Sequence, residues 1–444
     1  MKLSVIGAGY LGAVHATSMA SLGFQTVGLD VDPERIDALG AGKAPFFEPG
    51  FDELLGEVTE SGQLSWTLDY AELDDVDVHF LCVGTPQNPE SHAADLSYVW
   101  AAVEALLPHL KPRALVVGKS TVPVGTAAAI AERIRACWIG QAEAIPQVVW
   151  NPEFLREGFA VQDTLHPDRI VVGVPQGDDG VWSERVMREV YAAQLDEGIP
   201  FLTTDRPTAE LVKVAANAFL ATKISFINAM AEVCEATGAD VVTLADAIGA
   251  DARIGRKFLG AGVGFGGGCL PKDIRAFSAR AGELGVDQAL TFLREVDDIN
   301  ARRRDRAVAT ARAMVGGSFS GRRVCVLGAA FKPNSDDVRD SPALDIAARI
   351  HNEGGSVVVH DPRALANAER VFPALGYQPD LEAALTGAQA LLLLTEWGLY
   401  RELDPVSVAA LVSVPRILDG RNVLDVEAWV SAGWEFRGMG RAHG

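Results

Sequence analysis

The chain has 444 residues, 48% hydrophobic and 22% charged, a globular composition at a length that implies two or three domains. A formal charge of −20 argues against nucleic-acid and anionic-membrane partners, both of which reward a basic surface, so an anionic small ligand requires a local cationic pocket. The five cysteines are scattered without metal or redox spacing, which argues against a disulfide framework or a zinc site and fits a reducing cytoplasm.

Met1-Lys2-Leu3-Ser4-Val5-Ile6-Gly7 runs directly into a glycine motif, leaving no room for a secretory apolar segment. The first predicted strand ends at Gly7-Ala8-Gly9-Tyr10-Leu11-Gly12, a GxGxxG turn whose glycines permit the tight bend, close pyrophosphate approach and close helix packing. Asp30 stands 18 residues after Gly12 at the end of the next apolar run, where a carboxylate meets ribose hydroxyls and repels a 2′-phosphate, favouring NAD over NADP. Asp32 and Pro33 are predicted to cap and open the following helix.

Runs at 76–83, 114–117, 148–150 and 169–173 continue the strand rhythm, so residues 1 to about 205 read as βαβ units on a mostly parallel sheet. Gly84-Thr85 and Thr121 fall at carboxyl ends of strands, the edge where ligands collect in such sheets. Asp178-Asp179-Gly180 is expected to be a surface turn. Residues 208–237 read as a helix, with Leu211, Val214, Ala215, Ala218, Phe219, Ile224, Ile227 and Met230 at helical spacing. No apolar run approaches the ~20 residues of a membrane span.

Cys269 ends the run Gly262-Val263-Gly264-Phe265-Gly266-Gly267-Gly268-Cys269 and precedes Leu270-Pro271-Lys272-Asp273. Five glycines in the seven residues before the sulfur let backbone and ligand approach closely. If Pro271 opens a helix, its positive end and the Lys272 ammonium both favour thiolate. A buried, inert cysteine is the alternative reading of the residues alone. Cys82 and Cys325 lie in strand-like apolar runs and read as core, and Cys137 and Cys234 fall in helical segments.

A second long helix is expected at 291–314, with Arg302-Arg303-Arg304 on a solvated face. Strands return at 323–327, 356–359, 390–394 and 416–418, but Gly328-Ala329-Ala330-Phe331-Lys332 stands where a dinucleotide fingerprint would, so only the first lobe is expected to hold a dinucleotide. The fold class is α/β: two Rossmann-like, doubly wound parallel-sheet domains (1–205 and 315–444) joined by a helical central domain (206–314).

With Gly7 to Gly12, Asn151-Pro152-Glu153-Phe154-Leu155-Arg156-Glu157-Gly158, Lys213 with Asn217, and Gly264 to Asp273 in view, the chain resembles the UDP-glucose/GDP-mannose dehydrogenase family along nearly its whole length. The resemblance implies a four-electron, NAD-dependent oxidation of a nucleotide sugar, with Cys269 as nucleophile forming a thiohemiacetal and then a thioester. It implies that Lys213 and Asn217, four apart on one helix face, stabilise charge on the sugar C6 oxygen, that Asp273 helps hold a water, that Glu153 activates the hydrolytic water and that Thr121 orients a water at the reacting carbon.

By the same resemblance, cofactor contacts extend to Gly84, Thr85, Glu157, Lys272 and Arg339, and substrate contacts to Phe154, Leu155, Arg156, Glu157, Lys257, Phe258, Leu259, Phe265, Gly266, Lys332 and Arg421, with Arg253 given across a homodimer built on the helical centre. Gly268 departs from the serine of many relatives and Leu270-Pro271 resembles GDP-mannose enzymes, whereas residues 151–173 look closer to the UDP-glucose branch. Lys272 before Asp273 argues against the N-acetylated hexosamine branch. UDP-glucose is therefore the expected substrate, GDP-mannose the rival, and a non-catalytic NAD-binding regulatory protein the alternative of another class.

Overall fold

The computed structural model describes residues 1–88, 91, 93–138 and 144–441, which divide at 216/217 into two compact units. In the first, eight strands form one sheet: β1 (Lys2–Ile6), β2 (Gln25–Leu29), β3 (Leu64–Thr67), β4 (Val78–Leu81), β5 (Leu115–Gly118), β6 (Gln147–Trp150), β7 (Ile170–Val174) and β8 (Phe201–Asp205). Their order is β3-β2-β1-β4-β5-β6-β7-β8, parallel throughout except where β6 meets β7 antiparallel at Trp150 and Gly173. The chain order reverses between β1 and β4, the switch point at which a doubly wound sheet opens a ligand crevice beyond its carboxyl edge.

Alternation along the strands covers both faces of this sheet. Leu3, Val5, Phe80, Leu115, Val117 and Val149 join the core on one side, and Ile6, Leu29, Leu81, Val116, Val148 and Trp150 the core on the other. A period of two with apolar residues on both faces is what a parallel sheet sandwiched by helices demands. Asp32 caps the helix Pro33–Gly40 as its sequence implies, accepting from the Glu34 and Arg35 amides. Asp178-Asp179-Gly180 is a correction: it is the first turn of the helix Asp178–Val190, where two carboxylates suit the positive helix end.

The second unit carries six parallel strands, β9 (Arg323–Leu327), β10 (Ser356–His360), β11 (Gly376–Tyr377), β12 (Ala390–Leu393), β13 (Arg416–Asp419) and β14 (Glu435–Gly438), in the order β11-β10-β9-β12-β13-β14. This repeats the order of the first six strands of the other sheet. Gly328 (φ +111°) after β9 matches Gly7 (φ +95°) after β1, and each donates its amide to the last residue of the neighbouring strand, His360 and Leu29 respectively. Asp361 then takes the place of Asp30, but five donors, the amides of Ala329, Ala330, Arg363 and Ala364 and the indole of Trp397, saturate its carboxylate. No lone pair is left for a ribose.

The helix Arg206–Thr237 crosses the boundary between the units. Contrary to the sequence expectation, it is long and apolar enough by length and composition to cross a membrane. Its residues Ala221, Ile227, Asn228, Ala231 and Cys234 are nonetheless buried in the protein, while Leu211, Phe219, Phe226 and Val233 face outward, so Leu211 and Phe219 are not core. The helix Phe292–Met314 corrects another expectation. Arg303 is fully buried, its guanidinium on the Gly262 carbonyl and Glu235, and Arg304 reaches Asp340 and Asp345, so only Arg302 of the triplet is a solvated cation.

Candidate active site

The fingerprint turn of the first unit is built to admit a pyrophosphate. Gly7 holds a left-handed φ of +95°, a Cβ on Gly12 would lie 1.8 Å from the Gly7 carbonyl oxygen, and a Cβ on Gly9 would meet nothing within 4 Å. The first and third glycines are thus required by the chain itself, and the second faces open space at the start of the helix Tyr10–Ser21. Asp30, 7% exposed, accepts from the Ala8 amide at 2.6 Å and from Arg35 at 3.0 Å through Oδ2, and from the Asp32 amide at 3.0 Å through Oδ1. Exposed Val31 and Leu68 offer apolar surface in the segments following β2 and β3.

Arg35 is a residue that sequence reasoning missed, although it lies only five positions after Asp30. Its guanidinium is held by Asp30 and Asp32, and Asp30→Asn removes one of the two charges that restrain it. We expect Asp30→Asn to raise the KM for NAD about tenfold through lost charge-assisted bonds, while freeing Arg35 for a 2′-phosphate and narrowing the preference over NADP. Paired NAD and NADP kinetics check this, and unchanged selectivity contradicts it.

Thr85 donates to the Thr121 carbonyl at 2.8 Å, so the two predicted strand-end turns are neighbours at the carboxyl edge. Beside them runs the 151–158 loop. Glu153 accepts from the Leu155 amide at 2.7 Å through one carboxylate oxygen and pairs with the Lys213 ammonium at 2.9 Å through the other. Both side chains are largely buried, at 13% and 7% exposed, so each depends on the other for its charge to be tolerated there. The Phe154 ring has the Arg169 guanidinium 3.9 Å from its centre and the Lys213 ammonium at 5.7 Å. Arg156 is turned outward in a bidentate pair with Asp163, which raises its pKa.

Asn151 anchors the start of this loop through a cluster the sequence did not disclose. Buried Lys119 donates to Asn151 Oδ1 at 3.1 Å and to the Tyr191 hydroxyl at 3.2 Å, and its ammonium lies 5.8 Å from the Phe80 ring centre. Its positive charge, after burial, is the second cause holding the His15 imidazole below its usual pKa. The Cys82 thiol is pushed up to about 12 by burial, which makes it an inert core group as expected.

In the second unit the glycine run leads to Cys269, which is exposed at the N-terminal end of the helix Leu270–Glu283, with Pro271 in the first turn. Asp273, 2% exposed, accepts from Asn217 Nδ2 at 2.6 Å and has the Lys272 ammonium 2.8 Å from its other oxygen. Lys272 therefore spends charge on Asp273 that was expected to act on the sulfur. A Cβ on Gly268 would lie 2.3 Å from the guanidinium carbon of Arg339, so a larger residue there would displace that flexible side chain. Arg339 is also paired bidentately with Asp337 and accepts the Gly267 amide on its carbonyl.

The remaining expected substrate residues separate into two kinds. Arg253 is 89% exposed and paired with Asp251, and Lys257 and Phe258 are exposed, with Phe258 at φ +64°. Leu259 and Phe265, by contrast, bury their side chains in apolar clusters, leaving only their backbone to meet a ligand, and a Cβ on Gly266 would strike the Asp340 carbonyl oxygen at 2.2 Å. Arg421 donates to the carbonyls of Leu394 and Gly264 at 2.7 and 2.8 Å and faces Glu396, so it pins the glycine loop to β12's end. Lys332 lies 5.3 Å from the Phe331 ring centre.

A doubly wound parallel sheet whose first strand runs through a glycine turn into a helix, with a carboxylate at the end of its second strand, has the architecture of the dinucleotide-binding domain of a dehydrogenase. Models of the UDP-glucose/GDP-mannose dehydrogenase family match residues 1–195 (NAD binding domain), 207–302 (central domain) and 325–426 (UDP binding domain). The chain belongs to this family, and so it is an oxidoreductase that uses NAD and takes a nucleotide sugar. It is 40% identical over 442 residues to a UDP-glucose 6-dehydrogenase of Rhizobium meliloti, covering 99% of this chain and 100% of that one. A UDP-glucose 6-dehydrogenase of Pseudomonas aeruginosa is 39% identical, with 99% and 98% covered. Among solved structures, a UDP-glucose dehydrogenase from Pyrobaculum islandicum aligns with a TM-score of 0.87 at 37% identity, covering 99% of this chain and 98% of that one.

Proposed function

We propose that the chain oxidises UDP-glucose to UDP-glucuronate through a covalent adduct on Cys269. The observation that carries this reading is the placement of an exposed cysteine at a helix N-terminus, after a glycine run and four residues before an aspartate that is hydrogen-bonded to Asn217. The likeness to UDP-glucose enzymes over the full length supports the choice of sugar nucleotide.

When held by the fingerprint turn and Asp30, NAD would supply the hydride acceptor for both oxidations. In the first, the C6 hydroxyl proton passes to the water held by Asp273 while Lys213 and Asn217 stabilise the negative charge that develops on the C6 oxygen. The Cys269 thiolate then adds to the aldehyde carbon, forming a C–S bond and a tetrahedral centre from which a second hydride departs readily, leaving a thioester. Glu153 takes a proton from water as it attacks, the C–S bond breaks and the thiolate is restored, with Thr121 and Asp273 holding waters in place. The sum is one alcohol, two NAD and one water giving one acid, two NADH and two protons. Phe154, Arg156, Glu157, Lys257, Phe258, Lys332 and Arg421 belong to the substrate side of this reading, and Glu157, Lys272 and Arg339 to the cofactor side.

The expected outcome is two NADH per acid with UDP-glucose, and slower turnover with GDP-mannose. One NADH with a released aldehyde defeats the covalent route, and preference for GDP-mannose moves the chain to the rival reading.

The three-part division at 205/206 and 314/315, a cytoplasmic setting and a homodimer complete the proposal. Phe219, Phe226 and Val233 repeat every seven residues on the outer face of the helix Arg206–Thr237, at 65%, 48% and 51% exposed, and support a second copy packing there. Light scattering is expected to give a dimer, and Phe226→Asp a monomer. A monomeric parent protein contradicts this part.

A further inference from the structure

Glu48 lies in none of the elements that mark the chemistry. It precedes Pro49 and Gly50 just ahead of the helix Phe51–Glu60, and only 5% of it is exposed. Its carboxylate is fully engaged: Oε1 accepts the Ala160 amide at 2.6 Å, while Oε2 accepts the Gly158 amide at 2.7 Å and the Tyr10 hydroxyl. These three donors are the hydrogen bonds its two oxygens accept. The charge is therefore held by two backbone amides and one phenol, and losing any of the three leaves a buried carboxylate short of donors.

Each of those donors belongs to a part of the site. Tyr10 is the residue after the second glycine of the fingerprint, and its ring packs 4.8 Å from that of Phe46, which stacks in turn on fully buried Phe51. Gly158 closes the 151–158 loop, which carries Glu153, and Ala160 is the first residue of the helix Ala160–Leu165. That helix has no cap from its own N-cap residue Phe159, so Glu48, 112 residues away in sequence, supplies it. Burial and the neighbouring Glu48 both raise the Tyr10 pKa, so the phenol keeps its proton at any working pH and remains the donor.

We propose that Glu48 is a positioning residue that ties the pyrophosphate turn, through the Tyr10 hydroxyl, to the loop bearing Glu153, so that cofactor affinity and the placement of Glu153 are set by one shared carboxylate. This rests on the reading of Glu153 as the base for thioester hydrolysis. Tyr10→Phe removes one hydrogen bond on the cofactor side, keeps the ring packing, and acts mainly on NAD affinity. Glu48→Gln loses the charge that all three donors share and acts on affinity and turnover together.

The test compares the wild-type enzyme, Tyr10→Phe, Glu48→Gln and the double variant by NADH fluorescence titration and by steady-state oxidation of UDP-glucose. Tyr10→Phe is expected to weaken NADH binding by about threefold to tenfold with little change in kcat, and Glu48→Gln to weaken it similarly and lower kcat by about tenfold. The double variant is expected to bind NADH about as weakly as Glu48→Gln alone, because the hydroxyl has lost its charged partner. Independent, additive losses, or wild-type affinity in Tyr10→Phe, overturn the link. Should Glu48→Gln not fold, Tyr10→Phe still decides through its KM against kcat split. A wild-type enzyme that oxidises no nucleotide sugar defeats the reading of the reaction, whereas normal wild-type turnover with additive NADH affinities defeats only the role of Glu48.

Discussion

Cys269→Ser is expected to bind UDP-glucose and NAD about as the parent enzyme does, yet to make acid at least about a thousandfold more slowly. The substitution is nearly isosteric, and the side chain is exposed at the head of the helix Leu270–Glu283, so nothing in the packing is disturbed. What changes is the nucleophile. A thiolate is a strong nucleophile toward an aldehyde carbon, whereas a serine hydroxyl is far less acidic and a much weaker one. NADH production measured against binding of the sugar nucleotide separates the two effects. Acid formation at the parent rate removes the covalent role.

Lys213→Met is expected to lower kcat by about 10²–10³, the usual consequence of removing one group that stabilises a developing oxyanion. It also leaves Glu153 without its cation at a position only 13% exposed. Breaking a buried pair in this way costs about 3–5 kcal/mol, so a loss of thermal stability should accompany the loss of rate. Glu153→Gln in the same background removes the stranded charge and is expected to recover stability without recovering turnover. Activity loss without any stability change would mean that the pair is more hydrated than its burial implies.

Much of this site could be read from the chain alone. The glycine turn after β1 and the Asp32 cap are local features in which the residues that interact lie within a few positions of one another, and the structure has both the turn and the cap. The α/β rhythm located the main strands, but it passed over short or partly exposed ones, β3, β8, β11 and β14, whose runs do not stand out as apolar. The second lobe's repeat of the first lobe's strand order was hidden because only one fingerprint glycine, Gly328, survives there, and Asp361 serves its own backbone.

Other features were illegible for a common physical reason. Arg303 and Arg304 look like a solvated stripe because their partners, Glu235, Asp340 and Asp345, are dozens of residues away. Glu48 with Gly158, and Lys119 with Tyr191, are likewise long-range pairs in which neither residue stands out locally. Leu211 and Phe219 kept the helical period but fall on the outward face, since spacing reports that a face is apolar and not what covers it.

The most direct test is mass spectrometry of the enzyme quenched during turnover with UDP-glucose and NAD, followed by peptide mapping. A sugar-nucleotide adduct on the peptide containing Cys269, absent from Cys269→Ser, is the predicted result. Rapid turnover with no adduct on that peptide at any quench time would contradict the account.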